Sequence, residues 1–343
     1  MTTGSNARGA READRVRERQ AEAQAGTAEV EERTATLGKI LAGSLRKPVR
    51  IPFAALRRQP ALRPFEPGPD EQPEEPPRWA DYAVPEPSGW RRLLRAKEIE
   101  ARRNAAHARF AADEAAYHRR EKERAFRVRQ RRNRHAVEMA VLRRRAEAEN
   151  ARIDELEVGY RVGQPDAVRE YAGLVLSHRR LPAGVPAKVD VRYQPESSRL
   201  SVVFDLPGPG VIPAIAGYRY VRTRDTIEER VRPLKDRKQL YADLVAQLVL
   251  VRLHDAFATC SGDLVTEVAV AALVPIRDRT TGWPARPCLA SVVATRTRFS
   301  ELPLANLDPG EALEQLGARL SPRPFDLYPT RPFFDPERVR HHH

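Results

Sequence analysis

The sequence predicts an α+β protein: a long charged helix or coiled coil followed by an antiparallel-sheet domain packed on one long helix. Three observations carry this. No proline occurs between Pro87 and Pro165, and the intervening residues are dominated by Ala, Arg and Glu, which are strong helix formers. The C-terminal half instead shows runs of alternating apolar and polar residues separated by turn residues. Within that half, RKQLYADLVAQLVLVRLHDAF carries Leu240, Leu244, Leu248 and Tyr241, Val245, Val249, a broad apolar face at helical spacing.

Residues 1–59 form an Ala/Arg/Glu-rich segment. Between 7 and 42 its large apolar residues are few (Val16, Val30, Leu37, Ile40, Leu41), so a helix there needs a partner surface to be stable. Residues 60–89 read as a linker, with nine prolines among the 28 residues from Pro60 to Pro87 and acidic clusters such as DEQPEEPP. Proline removes the amide donor and holds φ, so this stretch is extended, with Trp79 and Tyr82 available to dock. Ser88 then suits an N-cap, and 90–158 reads as one helix of about 100 Å. Ile99 to Phe110, Phe126 to Val137 and Leu142 to Ile153 are each separated by 11 residues. That period favours a nearly straight pairing over a heptad seam, and a folded-back or dimeric helical hairpin is expected.

Gly159 is expected to end the helix, and 159–180 connects through a short helix from Pro165 to Ser177. Residues 181–340 form the α+β domain. KVDVRY and RLSVVFDL flank the turn QPESS as a hairpin; GYRYV pairs with TIEERV, and LVTEVAVAALV with RPCLASVVATRT around PIRDRTTGWPA. Asp236 is placed to cap the long apolar helix, expected to lie across the sheet, and 309–320 is a last helix before a Pro-rich tail with Phe325, Tyr328, Phe333 and Phe334. Residues 341–343 read as the remnant of a purification tag.

The charge is concentrated. The chain carries a formal +13, yet Arg119 to Arg145 alone hold twelve basic residues against three acidic ones. Projected on a helix, Arg119, Arg120, Arg124, Arg127, Arg131 and Arg134 fall within an arc of about 140°, with Arg143 and Arg144 further along, and only Glu121 and Glu123 stand nearby. Guanidinium groups in that array suit a phosphate backbone, where each contact releases counterions. The same array also fits a solvated or self-associating helix, or an acidic protein partner. No base-reading signature accompanies it, so binding would follow shape and charge.

Other chemistry finds little support. Cys260 and Cys288 lack close spacing and read as buried apolar residues, not as a disulfide framework or thiolate site. His107, His118, His135, His178 and His254 show no metal-ligand spacing, and His254 is expected to meet the helix dipole. Pro207 to Gly210 is a turn without the Lys-Ser/Thr of a phosphate loop. No nucleophile has a base beside it, and no cofactor is expected. No signal peptide or membrane span is legible, so the expected location is the cytoplasm.

The strings VRYQPESSRLSVVFDLP, VIPAIAGYRYVRTRDTIEERVRP, LYADLVAQLVLVRLHDAF and RPCLASVVATRTRFSELPLANLDPGEALEQLGA resemble the region preceding the nuclease domain in actinobacterial Mrr-type restriction endonuclease proteins, and the Pro-rich linker and long charged helix look like that family's N-terminal part. The resemblance covers most of residues 60–340. In the family a stretch like DPERV leads into the nuclease, with an acidic residue and a Gln- or Glu-x-Lys on adjacent strands. Here the only formal match, Asp236-Arg237-Lys238, falls at a helix start and is better explained by capping. The resemblance therefore implies a non-catalytic DNA-recognition and scaffold module of a bacterial restriction or anti-phage defence protein, with the nuclease in another domain or a partner. The alternative is an oligomeric coiled-coil scaffold that recruits an effector without touching nucleic acid. Enzymatic activity of this chain is the least supported reading.

Overall fold

A computed structural model describes residues 3–47, 49–85, 96–278 and 281–340, the side chains of 3–11, 13 and 96 excepted. The chain divides into two units, residues 57–153 and residues 1–56 with 154–343. The fold is α+β, with a long helix and a sheet domain. Ser88, Leu93 and Leu94 lie outside the described residues.

The larger unit is built on a five-stranded sheet of order β1-β2-β5-β8-β9, in which β9 is the short edge strand Arg319–Leu320. Strands β1 (Val189–Gln194) and β2 (Arg199–Asp205) form the expected hairpin, with Val191 opposite Val202. Ser198 takes the turn's left-handed position at φ 45°. Strands β5 (Glu267–Leu273) and β8 (Cys288–Thr295) pair antiparallel, Val270 opposite Val292. The sheet is not purely antiparallel, however: β2 runs parallel to β5. The reason is the connection between them, which holds β3 (Ile215–Val221), β4 (Thr226–Val231) and a helix, long enough for a crossover. The β3–β4 hairpin stands apart as its own two-stranded sheet.

That crossover helix, α6 (Leu234–Thr259), is buried at every position from Leu244 to Leu253. A stripe against the sheet was expected; the helix is instead enclosed. Helices α2 (Ile40–Arg46), α5 (Pro165–Ser177) and α8 (Pro309–Gln315) pack on it, while its other side meets β5 and β8. Pro233 rather than Asp236 occupies its N-cap position, without a capping hydrogen bond, and Asp236 lies in the first turn. There the carboxylate still faces the positive end of the helix dipole. Complete enclosure raises a problem at Arg252, which is fully buried. The fold answers it with backbone carbonyls: Arg252 Nη1 donates to Leu176 O at 3.0 Å and Nη2 to Ala187 O at 2.9 Å, and the guanidinium stands 5.3 Å from the Phe204 ring centroid. Burial lowers its pKa to about 10, so the group remains a cation at neutral pH.

Strands β2 and β5 are buried on both faces, which accounts for their nearly continuous apolar runs. Val202, Val270 and Ala272 enter the main core with α6. Val203, Ala271 and Leu273 point the other way and are covered by Phe334 and Val339 of the tail. The tail thus forms a second layer. Its last turn, α9 (Glu337–Arg340), sets Arg340 across Asp205 at 2.7 Å and Asp190 at 3.2 Å. Cys260 and Cys288 are buried free thiols, pushed up by burial to about 12 and about 11.

The N-terminal helix α1 (Thr3–Gly38) finds its partner surface on β3. Thr27 Oγ1 accepts from Tyr218 N at 2.8 Å and donates to Tyr218 O at 3.1 Å. The approach is close because glycines meet side chains on both sides. A Cβ at Gly26 would lie 2.9 Å from the Tyr218 ring, and one at Gly217 would lie 2.8 Å from Thr27 Cγ2. Gly217→Ala is therefore expected to loosen α1 and cost about 1–3 kcal/mol, read as a lower urea midpoint with faster proteolysis in 12–38; an unchanged midpoint would show that the contact gives way freely.

The long helix α4 spans Ala96–Arg161. It does not stop at Gly159: that glycine stays helical and admits α5, since a Cβ there would lie 2.8 Å from Ala167 Cβ. The turn comes at Gly163, φ +73°, a conformation that glycine adopts without steric cost. α8 likewise ends at Gln315, short of 320, ahead of Gly317 at φ +73°.

Candidate nucleic-acid interface

In the unit 57–153 the Pro-rich segment is not a free linker. It lies along α4 as a strap running in the opposite direction. Near one end, Arg58 N donates to Asn150 Oδ1 at 2.8 Å and Asn150 Nδ2 to Arg58 O at 3.0 Å. Near the other, Trp79 stacks on His107 at 4.2 Å, with Phe110 edge-on to it, and Tyr82 donates to Asp113 at 2.7 Å. Between these points the helix advances 43 residues, about 65 Å at 1.5 Å each, while the strap advances 21 residues, about 65 Å at the polyproline II rise of 3.1 Å. Strap and helix therefore keep pace from end to end, although a 3-10 turn at Gly68–Asp70 interrupts the extended run.

The helix face beneath repeats at 11 residues and includes the expected Leu142–Ile153 pair, but Phe126 and Val137, spaced the same way, lie exposed off this line. Arg131, His135, Met139, Leu142, Ala146, Asn150 and Ile153 are its covered positions, in steps of four, four and three. On this face an extended segment of the same chain takes the place of the folded-back helix. The physical reason is that a line repeating every 11 residues runs nearly straight along a helix, and a straight line suits a polyproline-like ribbon, which has no supercoil to match.

The arginines of this helix part company at the strap. Arg127 Nη2 lies 3.0 Å from Asp70 Oδ1 and Arg131 Nη1 3.0 Å from Asp70 Oδ2, while Arg131 also donates to Pro67 O at 2.8 Å. Arg124 donates to Asp70 O at 2.6 Å and holds Glu121 with its other two nitrogens at 2.8 and 2.6 Å. Arg120 reaches Glu74 at 2.8 Å. Gly68, at φ +68°, turns the chain so that Asp70 faces this group. The hydrogen bond from Arg127 holds the Asp70 carboxyl below its ordinary value of 3.8, and Arg124 does the same to Glu121. A depressed carboxylate contributes to the folded state at any pH above its ordinary value, and that contribution disappears as pH falls through the lowered one.

Of the eight arginines singled out in the sequence, Arg120, Arg124, Arg127 and Arg131 thus engage their own chain. Arg119, Arg134, Arg143 and Arg144 form no ion pair among the described residues, and the same holds for Lys122, Arg129 and Arg145, which a projection centred on the arginine-rich arc leaves out. Arg119, Lys122, Arg129 and Arg144 share an arc of about 80° on the side of the helix away from Asp70. Phe126, Val137 and Val141, 59%, 64% and 43% exposed, lie on or next to this stripe. The signal that could have located the strap is charge complementarity within the chain: the acidic DEQPEEPP cluster belongs opposite the basic helix. The unit still carries 24 basic against 16 acidic residues, so the strap lowers the positive potential on one side and leaves it on the other.

Elsewhere, Asp236-Arg237-Lys238 lies at the start of α6 with Lys238 paired to Asp326 at 3.0 Å. His254 sits a full turn before the end of α6 beside Asp255. Among the described residues no three His, Cys, Asp or Glu side chains converge as a metal site, and no helix is long and apolar enough to cross a membrane. Compared with known protein families, curated proteins and solved structures, the chain matches none.

Proposed function

We propose that the chain is a DNA-recognition and scaffold module of a bacterial restriction or anti-phage defence protein, acting in the cytoplasm, with nuclease chemistry supplied by another domain or a partner. The observation that carries the DNA-binding part is the stripe of cations Arg119, Lys122, Arg129 and Arg144, without ion pairs among the described residues and spanning 26 residues of α4, about 38 Å of helix axis. That is roughly one turn of duplex DNA, a length over which the phosphate rows recur. Contacts of this kind read backbone and shape, so sequence preference would be slight. The restriction setting rests on the resemblance of the C-terminal strings, and the α+β unit would serve as the docking platform.

The test is anisotropy of a labelled 30-bp duplex with the full chain across a salt series. Four phosphate contacts predict a log–log slope of about −3 to −4. Binding that is absent at low salt, or insensitive to salt, would remove the reading. A second reading is favoured by Phe126, Val137 and Val141: exposed apolar groups on a helix suit a second helix, and a self-associating scaffold without nucleic acid would bury them. Light scattering separates the two, because the scaffold requires a stable oligomer whether or not DNA is present.

A further inference from the structure

We propose that the strap segment around Asp70 and Glu74 is an intramolecular competitor for the phosphate backbone, occupying Arg120, Arg127 and Arg131 until a polyanion displaces it. This rests on the DNA-binding reading above and adds a regulatory step to it. The arrangement has the marks of a substitute ligand. One carboxylate receives two separate guanidinium groups, Arg127 on Oδ1 and Arg131 on Oδ2, each at 3.0 Å, and a second carboxylate takes Arg120 at 2.8 Å. Arg forks bind carboxylate and phosphate oxygens with the same geometry, so a phosphodiester can replace these partners one for one. Arg124 is not part of the exchange, since Glu121 on its own helix holds it.

The strap is built to yield in the middle and hold at its ends. Trp79 is stacked on His107, and Phe65 lies 5.6 Å from His135, with the Arg132 guanidinium 5.4 Å from the Phe65 ring centroid. These aromatic contacts flank a central stretch, Glu66 to Glu75, held chiefly by charge. Arg120, Arg127 and Arg131 are 55%, 51% and 40% exposed and Glu74 56%, while Asp70 is 13% exposed, so solvent and salt reach the Arg120–Glu74 pair fully and the Asp70 pairs from their guanidinium side. Duplex DNA drawn to the outward stripe brings further phosphates around the helix, and counterion release favours the exchange. Tethered ends return the strap once the polyanion leaves.

The test compares the full chain with its D70N/E74Q variant, which removes both charges and keeps both side-chain shapes. On a labelled 30-bp duplex, the variant should bind about tenfold more tightly at low salt, while both proteins show a log–log slope steeper by about 2 to 3 than the four outward contacts alone give, one unit for each arginine that meets a phosphate in the complex. Equal affinity in the two proteins, with a slope of only about −3 to −4 in both, would overturn the gating while leaving the outward stripe as the DNA contact. If neither protein binds, the DNA reading itself fails and this inference with it. Hydrogen exchange of the wild-type chain gives a second measure: amides between 66 and 75 should lose protection when duplex is added, and protection that holds in the complex also overturns the proposal.

Discussion

Reversing three outward charges together, Arg119→Glu, Arg129→Glu and Arg144→Glu, should weaken duplex binding by about a hundredfold or more at low salt and flatten the salt dependence. Each substitution removes a phosphate contact and places a carboxylate against the backbone. The three side chains have no ion-pair partner among the described residues, so helicity and unfolding midpoint should stay at their wild-type values. That selectivity is what makes the variant informative. Reversing Arg127, Arg131 and Arg134 instead would set two new carboxylates against Asp70 and expel the strap, mixing lost contacts with a rearranged unit. Equal binding by the outward variant and the wild type, with circular dichroism unchanged, would show that this face does not touch DNA.

Asp255→Ala is expected to destabilise the larger unit by about 3–5 kcal/mol, the cost of leaving a buried cation without its partner. Asp255 is fully buried, and Arg179 grips both its carboxylate oxygens while donating to Lys47 O at 3.1 Å. Burial alone would raise the Asp255 pKa, but the adjacent His254 ring, its Nδ1 3.5 Å away, and the hydrogen bonds from Arg179 outweigh it and hold the carboxyl below its ordinary value of 3.8. A depressed folded pKa means the stabilisation is complete above that ordinary value and is lost as pH falls through the lowered one. Urea unfolding at neutral pH should therefore show the full loss for the alanine variant, and the gap to wild type should close on acidification. The double substitution Arg179→Met with Asp255→Leu should recover much of the stability, since an apolar pair of similar volume removes the uncompensated charge. A single-variant loss below about 1 kcal/mol would mean that water reaches the pair.

Much of the architecture was legible because short-range patterning governs it. The helix Pro165–Ser177, the three strand pairs and the long central helix follow from proline placement, alternation and helical spacing, each decided within a few residues of chain. Local signals failed where the outcome depended on a distant surface. Asp236 was a good cap by type, yet Pro233 begins the helix; Gly159 was a natural terminator, yet it stays helical to let α5 approach. The parallel β2–β5 pairing has no local mark, because either strand alternates equally well beside any neighbour.

The basic helix shows the division most clearly. Sequence alone determined that a long helix would carry a dense array of arginines and that part of its contact line, Leu142 to Ile153, would recur at 11 residues, since both are properties of one element's periodicity; it could not tell that Phe126 and Val137, spaced the same way, stay exposed. Which arginines stay free was decided only in the tertiary structure. A polyproline-like ribbon and an α-helix advance at different rates per residue, so the pairing of Asp70 with Arg127 and Arg131, 57 and 61 positions away, depends on where the strap is anchored. Electrostatic attraction would have accepted many registers; the aromatic contacts of Trp79 and the amide exchange of Arg58 with Asn150 select this one.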